Sequence, residues 1–194
     1  MIKSDRWIIR MAQERGMIEP FEAKQVKVVD SPSGPLPVIS FGVSSYGYDI
    51  RVARQFKVLD PTKDAAARII DPKNFDISGY DDFEGDVCLL PPHGMAIAQS
   101  LEYFRIPRNI LVVCQEKSTY ARCGIHSAIA PLEPEWEGRL TFGISNTTSR
   151  PAKVYAGEGI AQIIFLESDE ACQVSYADKQ GKYQRQTVLT PPKV

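Results

Sequence analysis

Apolar positions near the start of the chain recur at helical spacing. Trp7, Ile8, Met11 and Ala12 fall on one face, Ser4 or Asp5 can cap the first turn, and Gly16 can end the last. This predicts one short surface helix. Beyond it the pattern changes. Short runs rich in Val, Ile, Phe and Tyr alternate with 14 Pro and 13 Gly, the punctuation of a β protein. The clearest strands are 87–90, 95–99, 111–115, 139–144, 152–155 and 160–165. Many short strands with frequent turns predict a sandwich, jelly roll or distorted barrel. No repeat is visible at the roughly 20–50-residue period of array proteins. Residues 30–37 read as a loop, and 60–84 as a second irregular region. From Tyr176 onward the chain is polar without an apolar period, so by itself it reads as a mobile tail. With two or three cations and tyrosines it is also able to close over a phosphate chain. The chain therefore divides into a β domain, 1–175, and a tail, 176–194.

Composition narrows the functional classes. A length of 194 residues with 43% hydrophobic and 24% charged positions suits one globular domain with a real core. A net charge of -1 gives no electrostatic footprint for a nucleic-acid polymer or an anionic membrane. Cys88, Cys114, Cys123 and Cys172 are far apart and form no CxxC pair, which predicts free thiols in a reducing compartment. No apolar run reaches the ~18 residues of a spanning helix, and the first residues lack a signal-peptide core. A cytoplasmic location is expected.

Two stretches carry candidate chemistry. In Lys-Ser-Thr-Tyr-Ala-Arg-Cys-Gly (117–124), Ser118 can cap a short helix and Gly124 can end it. Such a terminus, with Lys117 beside it, is suited to phosphate or an oxyanion. Arg122 follows Ser118 by four residues, on the same face. An ordinary capped turn with surface cations fits the same residues. In 130–142, prolines stiffen a turn leading into a strand. Glu133, Glu135 and Glu137 are either acid–base groups or metal ligands, or they solvate the turn.

Together with Ser-Asn-Thr-Thr (145–148), Ser-Ser-Tyr-Gly-Tyr-Asp-Ile-Arg (44–51), Glu-Tyr-Phe-Arg-Ile-Pro (102–107) and Gly-Lys-Tyr-Gln (181–184), these stretches resemble the bacterial dCTP deaminase family. The likeness runs in order along nearly the whole chain. It implies a mainly β, distorted-barrel or jelly-roll-like fold of the dUTPase type, with a short N-terminal and a short central helix. It implies a homotrimer with sites between neighbouring subunits, closed by the tail. It also implies hydrolysis of a pyrimidine deoxynucleotide, dCTP giving dUTP and ammonia, with Mg²⁺ on the triphosphate. By the resemblance, Lys117 contacts phosphate, while Ser118 and Arg122 hold the attacking water and the polar network around the base. Asp49, Glu133 and Trp136 help form the nucleotide site. Tyr176, Lys182, Tyr183 and Gln186 come from the tail onto the triphosphate.

The zinc-deaminase signature, H-x-E with P-C-x-x-C, is absent, and His93 and His126 are too few for a usual zinc hydrolase site. A zinc-free deaminase needs a positioned general base. The family keeps a glutamate there, in a pattern like Thr-Leu-Glu-Phe-Ser-Asn. This chain reads Thr141-Phe142-Gly143-Ile144-Ser145-Asn146, so the catalytic position is Gly143. Nearby, Glu116 stands where a glycine is expected. Ser127-Ala128-Ile129-Ala130 replaces a pattern like Val-Asn-Val-Thr, and Gln186-Thr187 replaces Gln-Gly. Glu116, two residues from Ser118 on an extended segment, is a candidate relocated base; His126 is a second. Three functions follow: deamination with a non-standard base, a different reaction on a pyrimidine nucleotide with Glu133 or Glu135 orienting water or Mg²⁺, or nucleotide binding without turnover.

Overall fold

The computed structural model describes residues 1–63 and 69–193. Helix α1 (Asp5–Arg15) starts after Ser4 and ends at Gly16, whose left-handed backbone (φ 61°) lets its N–H bond Ala12. Ile8 and Ala12 are buried beneath it, and Trp7 lies 5.9 Å from Phe165, ring centre to ring centre.

The strands are β1 (Ile18–Glu19), β2 (Val26–Ser31), β3 (Gly34–Ser44), β4 (Gly47–Leu59), β5 (Tyr80–Glu84), β6 (Val87–Leu90), β7 (Met95–Arg105), β8 (Ile110–Glu116), β9 (Ile125–Ala128), β10 (Glu137–Asn146), β11 (Ala152–Tyr155) and β12 (Gly159–Glu167). A second helix, α2 (Ser118–Ala121), joins β8 to β9. The main sheet runs β2-β3-β4-β7-β10-β9, with β1, β5, β8 and β12 attached, and β6 pairs separately with β11. The architecture is mainly β, of the expected distorted-barrel or jelly-roll-like kind, with its two short helices where they were expected.

β10 sets the geometry of the site. Its even positions, including Leu140, Phe142 and Ile144, are buried in the core. Its odd positions, Arg139, Thr141, Gly143 and Ser145, are half-buried on the other face. Burying each large apolar side chain contributes about 1.5–3 kcal/mol, so the even positions lock the register and the odd positions follow. In that register Gly143 lies opposite Ile97 of β7 on one side and Ala128 of β9 on the other.

Several elements depart from the sequence reading. Residues 30–37 form a β-hairpin of β2 and β3 rather than a loop. Pro35 and Pro37 are tolerated because β4 pairs only with the far end of β3, Gly42–Ser44, leaving this part of β3 with one strand neighbour. In the region read as irregular, a single 3-10 turn (Ile77–Gly79), capped by Asp76, feeds β5, which pairs with β4; residues 64–68 lie outside the described part. Helix α2 is capped by Lys117 instead of Ser118, without a side-chain bond, and lasts four residues. Lysine has no oxygen to accept from the first turn.

The tail does not lie free. Arg139 N–H donates to Gln186 O (2.8 Å) and Arg185 N–H to Glu137 O (2.7 Å), so its backbone docks beside β10. Gln184 adds two bonds, accepting from Glu137 N–H and donating to Glu135 O. A sequence without apolar period is held here by polar backbone pairing, which periodicity does not register.

Candidate functional site

A cavity of about 600 Å³ opens over the half-buried face of β10. Its floor is Gly143 and Thr141, with Ile97 and Met95 from β7, and Ala128 and Ala130 from β9 and its exit. Phe75 and Tyr80 form an aromatic wall, their rings 5.5 Å apart. Burial raises the Tyr80 hydroxyl above its ordinary pKa. The polar groups collect at the rim: Glu133, Tyr176, Lys182, Tyr183 and Gln186, with Trp136 beneath them. Every tail residue expected at the site thus reaches one cavity with Gly143, Glu133 and Trp136.

The rim is cross-tied. The Trp136 ring N–H donates to Tyr183 O (3.2 Å), and Tyr183 N–H donates to the Tyr176 hydroxyl (3.1 Å). Lys179 pairs with Glu133 and lies over the Tyr176 ring. Arg108 joins Glu135 and Asp178, each at 2.7 Å. That guanidinium, helped by Ser175 N–H, holds the Asp178 carboxyl well below the ordinary range, at about 2. Gln186 donates to Arg139 O (2.7 Å), while its own Oε1 is buried without a partner.

A second group lies where β4, β8 and α2 meet. Asp49 is buried and takes bonds from Lys117 and from Gln25 (3.2 Å). Ser118 and Arg122 are exposed and do not line the cavity. Glu116 does not follow the strand alternation expected relative to Ser118, because Ser118 already belongs to α2. Its carboxylate instead meets His126 Nδ1 at 3.1 Å. His126 sits opposite Ser145 as Ala128 sits opposite Gly143, so its side chain leaves the same sheet face, although neither His126 nor Glu116 is among the residues lining the cavity. One such step along a strand is roughly 7 Å.

Sequence reasoning missed the floor itself. Met95, Ile97, Ala128 and Ala130 bear no chemistry, and only the pairing register unites them with Gly143. It also missed the Arg51–Glu102 pair. Glu102 is fully buried, accepts from Arg51 N–H (3.0 Å) and Nε (2.7 Å), and burial raises its pKa despite the guanidinium. All four cysteines are free, and burial pushes the Cys88 and Cys114 thiols up to about 11 and about 12. Among the described residues no group of three or more His, Cys, Asp or Glu gathers as a metal site, and no helix is long and apolar enough to cross a membrane.

A family model described as dCTP deaminase-like matches residues 2–168. A dCTP deaminase of Ectopseudomonas mendocina is 58% identical over 99% of this chain and 98% of its own. One from Pseudomonas aeruginosa is 57% identical with the same coverage. The chain belongs to the dCTP deaminase-like family. Among solved structures, the 2'-deoxycytidine 5'-triphosphate deaminase of Agrobacterium tumefaciens superposes with a TM-score of 0.58 at 15% identity, over 86% of this chain. Its match supports the fold, and this chain spans 48% of that longer one. The cavity floor, Glu133 and the group around Asp49 and Lys117 lie within the family model's span, whereas Tyr176, Lys182, Tyr183 and Gln186 lie beyond it and within the aligned length of the deaminases.

Proposed function

We propose that this family member hydrolyses a pyrimidine deoxynucleoside triphosphate at the base, dCTP and water giving dUTP and ammonia, as a cytoplasmic homotrimer working without zinc. The observation that carries the reading is the His126–Glu116 pair on the same sheet face as Gly143. Water needs a group to take its proton before it attacks the amino-bearing ring carbon, and Gly143 offers none. His126 takes that proton, with Glu116 orienting the ring and balancing the imidazolium. The imidazolium passes that proton to the ring N3 as the C4–O bond forms, and the freed imidazole then takes the remaining hydroxyl proton and gives it to the amine, so that the C4–N bond breaks, ammonia leaves and the carbonyl forms. Ser118 and Arg122 hold the water and the developing oxyanion.

The separation of Ser118 and Arg122 from the cavity supports a site completed by a neighbouring copy. In that arrangement Lys117, oriented by Asp49, faces the phosphates, and Tyr176, Lys182, Tyr183 and Gln186 close over them above Trp136. Mg²⁺, carried in on the triphosphate, would neutralise part of its charge. Glu133, the carboxylate among the cavity-lining residues, would be the group to hold that cation.

A second reading, binding without turnover or a different cleavage, is favoured by Gly143, where an added Cβ meets nothing within 4 Å. The two separate on incubation with dCTP, CTP, dUTP and dCMP plus Mg²⁺, with products resolved by mass spectrometry. Deamination that falls by ~10²–10⁴ in His126→Gln and in Glu116→Gln is the expected result. Nucleotide binding with no product, or release of pyrophosphate, would give the second reading instead. Deamination at full rate in His126→Gln would move the base elsewhere.

A further inference from the structure

A second cavity, of about 700 Å³, shares none of its lining residues with the cavity over Gly143. Small-molecule sites run to roughly 300–1,000 Å³, so it has room for one. It forms where β7 and β10 slip register. Arg139 lies opposite Tyr103 and Thr141 opposite Gln99, so two steps along β10 match four along β7. A bulge of this kind re-aims the side chains that flank it. Ser100 fixes the bulge: its hydroxyl donates to Glu102 O (2.7 Å) and accepts from Leu140 N–H (2.9 Å).

The two flanking side chains, Gln99 and Arg139, both line the cavity. Gln99 is 7% exposed, and its Oε1 is buried without a hydrogen-bond partner. Buried acceptors are nearly always satisfied, so this one marks a place where a ligand supplies the donor. Arg139 donates to Leu101 O (2.6 Å) and, among the described residues, pairs with no carboxylate. The nearby carboxylates are engaged elsewhere, Asp82 by Lys57 and Glu84 by Gln55. Apolar surface completes the lining: Phe56 and Phe83, rings 6.1 Å apart, with Val188 and Leu189 of the tail.

Arg139 calls for an anion, and a planar carboxylate matches its fork of donors. Gln99 Oε1 calls for an N–H or O–H. The lining charges, Arg139 and Lys57 against Asp82 and Glu84, cancel, which suits a monoanion better than a phosphate dianion. We propose that this second cavity binds a small carboxylic acid that carries an N–H or O–H donor beside its carboxylate and an apolar group behind it. Because Val188 and Leu189 belong to the lining, the acid binds the docked tail better than a released one, and its occupation holds the tail down. The proposal stands apart from the reaction over β10 and holds whether or not that reaction occurs.

The test is calorimetric binding to the full chain of three probes with the same ring. N-acetylphenylalanine has carboxylate and adjacent N–H, 3-phenylpropionate lacks the donor, and N-acetylphenylalaninamide lacks the carboxylate. The first is expected to bind tightest, with a loss of about tenfold or more for each missing group. Gln99→Leu should erase the preference over 3-phenylpropionate, and Arg139→Met the preference over the amide, with thermal unfolding reporting that each variant is folded. The probe series on the wild-type chain decides the matter even where a variant fails to fold. Bound N-acetylphenylalanine should also slow tryptic cleavage after Lys182 and Arg185, both in the tail. A chain end offers the same chemistry as a free acid; tighter binding of acetyl-Ala-Ala-Phe than of N-acetylphenylalanine assigns the cavity to a peptide terminus, and weaker binding to a free acid. Equal binding of the three probes, or unchanged preferences in both folded variants, reduces the cavity to an unselective apolar groove and overturns the proposal. So does failure of every probe to bind the wild-type chain. Binding with no change in tryptic cleavage overturns the link to the tail.

Discussion

The cavity floor and the β4–β8 junction treat side-chain chemistry in opposite ways. The floor is glycine, alanine and apolar side chains, with the hydroxyl of Thr141 beside them and empty space above Gly143. The junction buries the Asp49–Lys117 pair, and two residues further along β4 Arg51 bonds the buried Glu102 of β7. A floor side chain that points into a cavity is free to be lost, because nothing packs on it. A buried ion is not, because removing one partner strands the other in a low-dielectric setting. The presence of Lys117 and Asp49 is therefore explained by folding alone, and changes at the floor are the more direct record of altered chemistry.

The sharpest way to break this contrast is at Asp49. Asp49→Ala leaves the Lys117 ammonium, whose side chain is 12% exposed, without its carboxylate. A destabilisation of about 3–5 kcal/mol is expected in denaturant titration. Asp49→Ala combined with Lys117→Met should recover much of it. If Asp49→Ala unfolds at the wild-type midpoint, the pair is not structural, and Lys117 is held for ligand alone.

Gln184 tests the rim, which stands between the two extremes. Its amide ties Glu137 N–H and Glu135 O to the tail at 3.1 and 2.8 Å. Gln184→Ala is expected to cost about 1–2 kcal/mol of tail docking, with the core intact. Trp136, bonded to Tyr183 O, reports it by fluorescence in a Trp7→Phe background. Loss of the global transition instead would show that the tail belongs to the core.

At the floor the sign reverses. Gly143→Ala puts a methyl into open space at a strand interior, where glycine is weaker than alanine by roughly 0.5–1 kcal/mol. A stability gain up to that size is expected from thermal unfolding. A loss would mean that something in the assembled protein already fills the space.

What the sequence made legible follows the same divide. Strands 87–90 and 152–155 were read to the residue, because these short apolar runs are bracketed by Gly85 and Pro91 and by Pro151 and Gly157. The rim residues were legible through the resemblance, since Glu133, Trp136 and the tail residues carry distinctive side chains. The floor was illegible because Ala128 and Ile97 acquire meaning only when register sets them beside Gly143. β4 was hidden for a related reason. Arg51, Arg54 and Lys57 interrupt its apolar run, and the partners that neutralise them, Glu102, Asp86 and Asp82, are distant in sequence.

The smallest effect is expected at Asp178, an exposed carboxylate holding the tail to Arg108. Its folded-state pKa is depressed, from 3.8 to about 2, so its contribution is present above the unfolded value and is lost as pH falls through about 2. Asp178→Asn should flatten the acid dependence of tail docking between those two values, while leaving neutral-pH melting within about 2 °C of wild type, as befits a solvent-screened pair in a chain of this size. Trp136 fluorescence against pH checks it. An unchanged acid profile in Asp178→Asn would transfer the tail's hold from this ion pair to the neutral contacts, Gln184 and the backbone bonds beside β10, which no proton in that range disturbs.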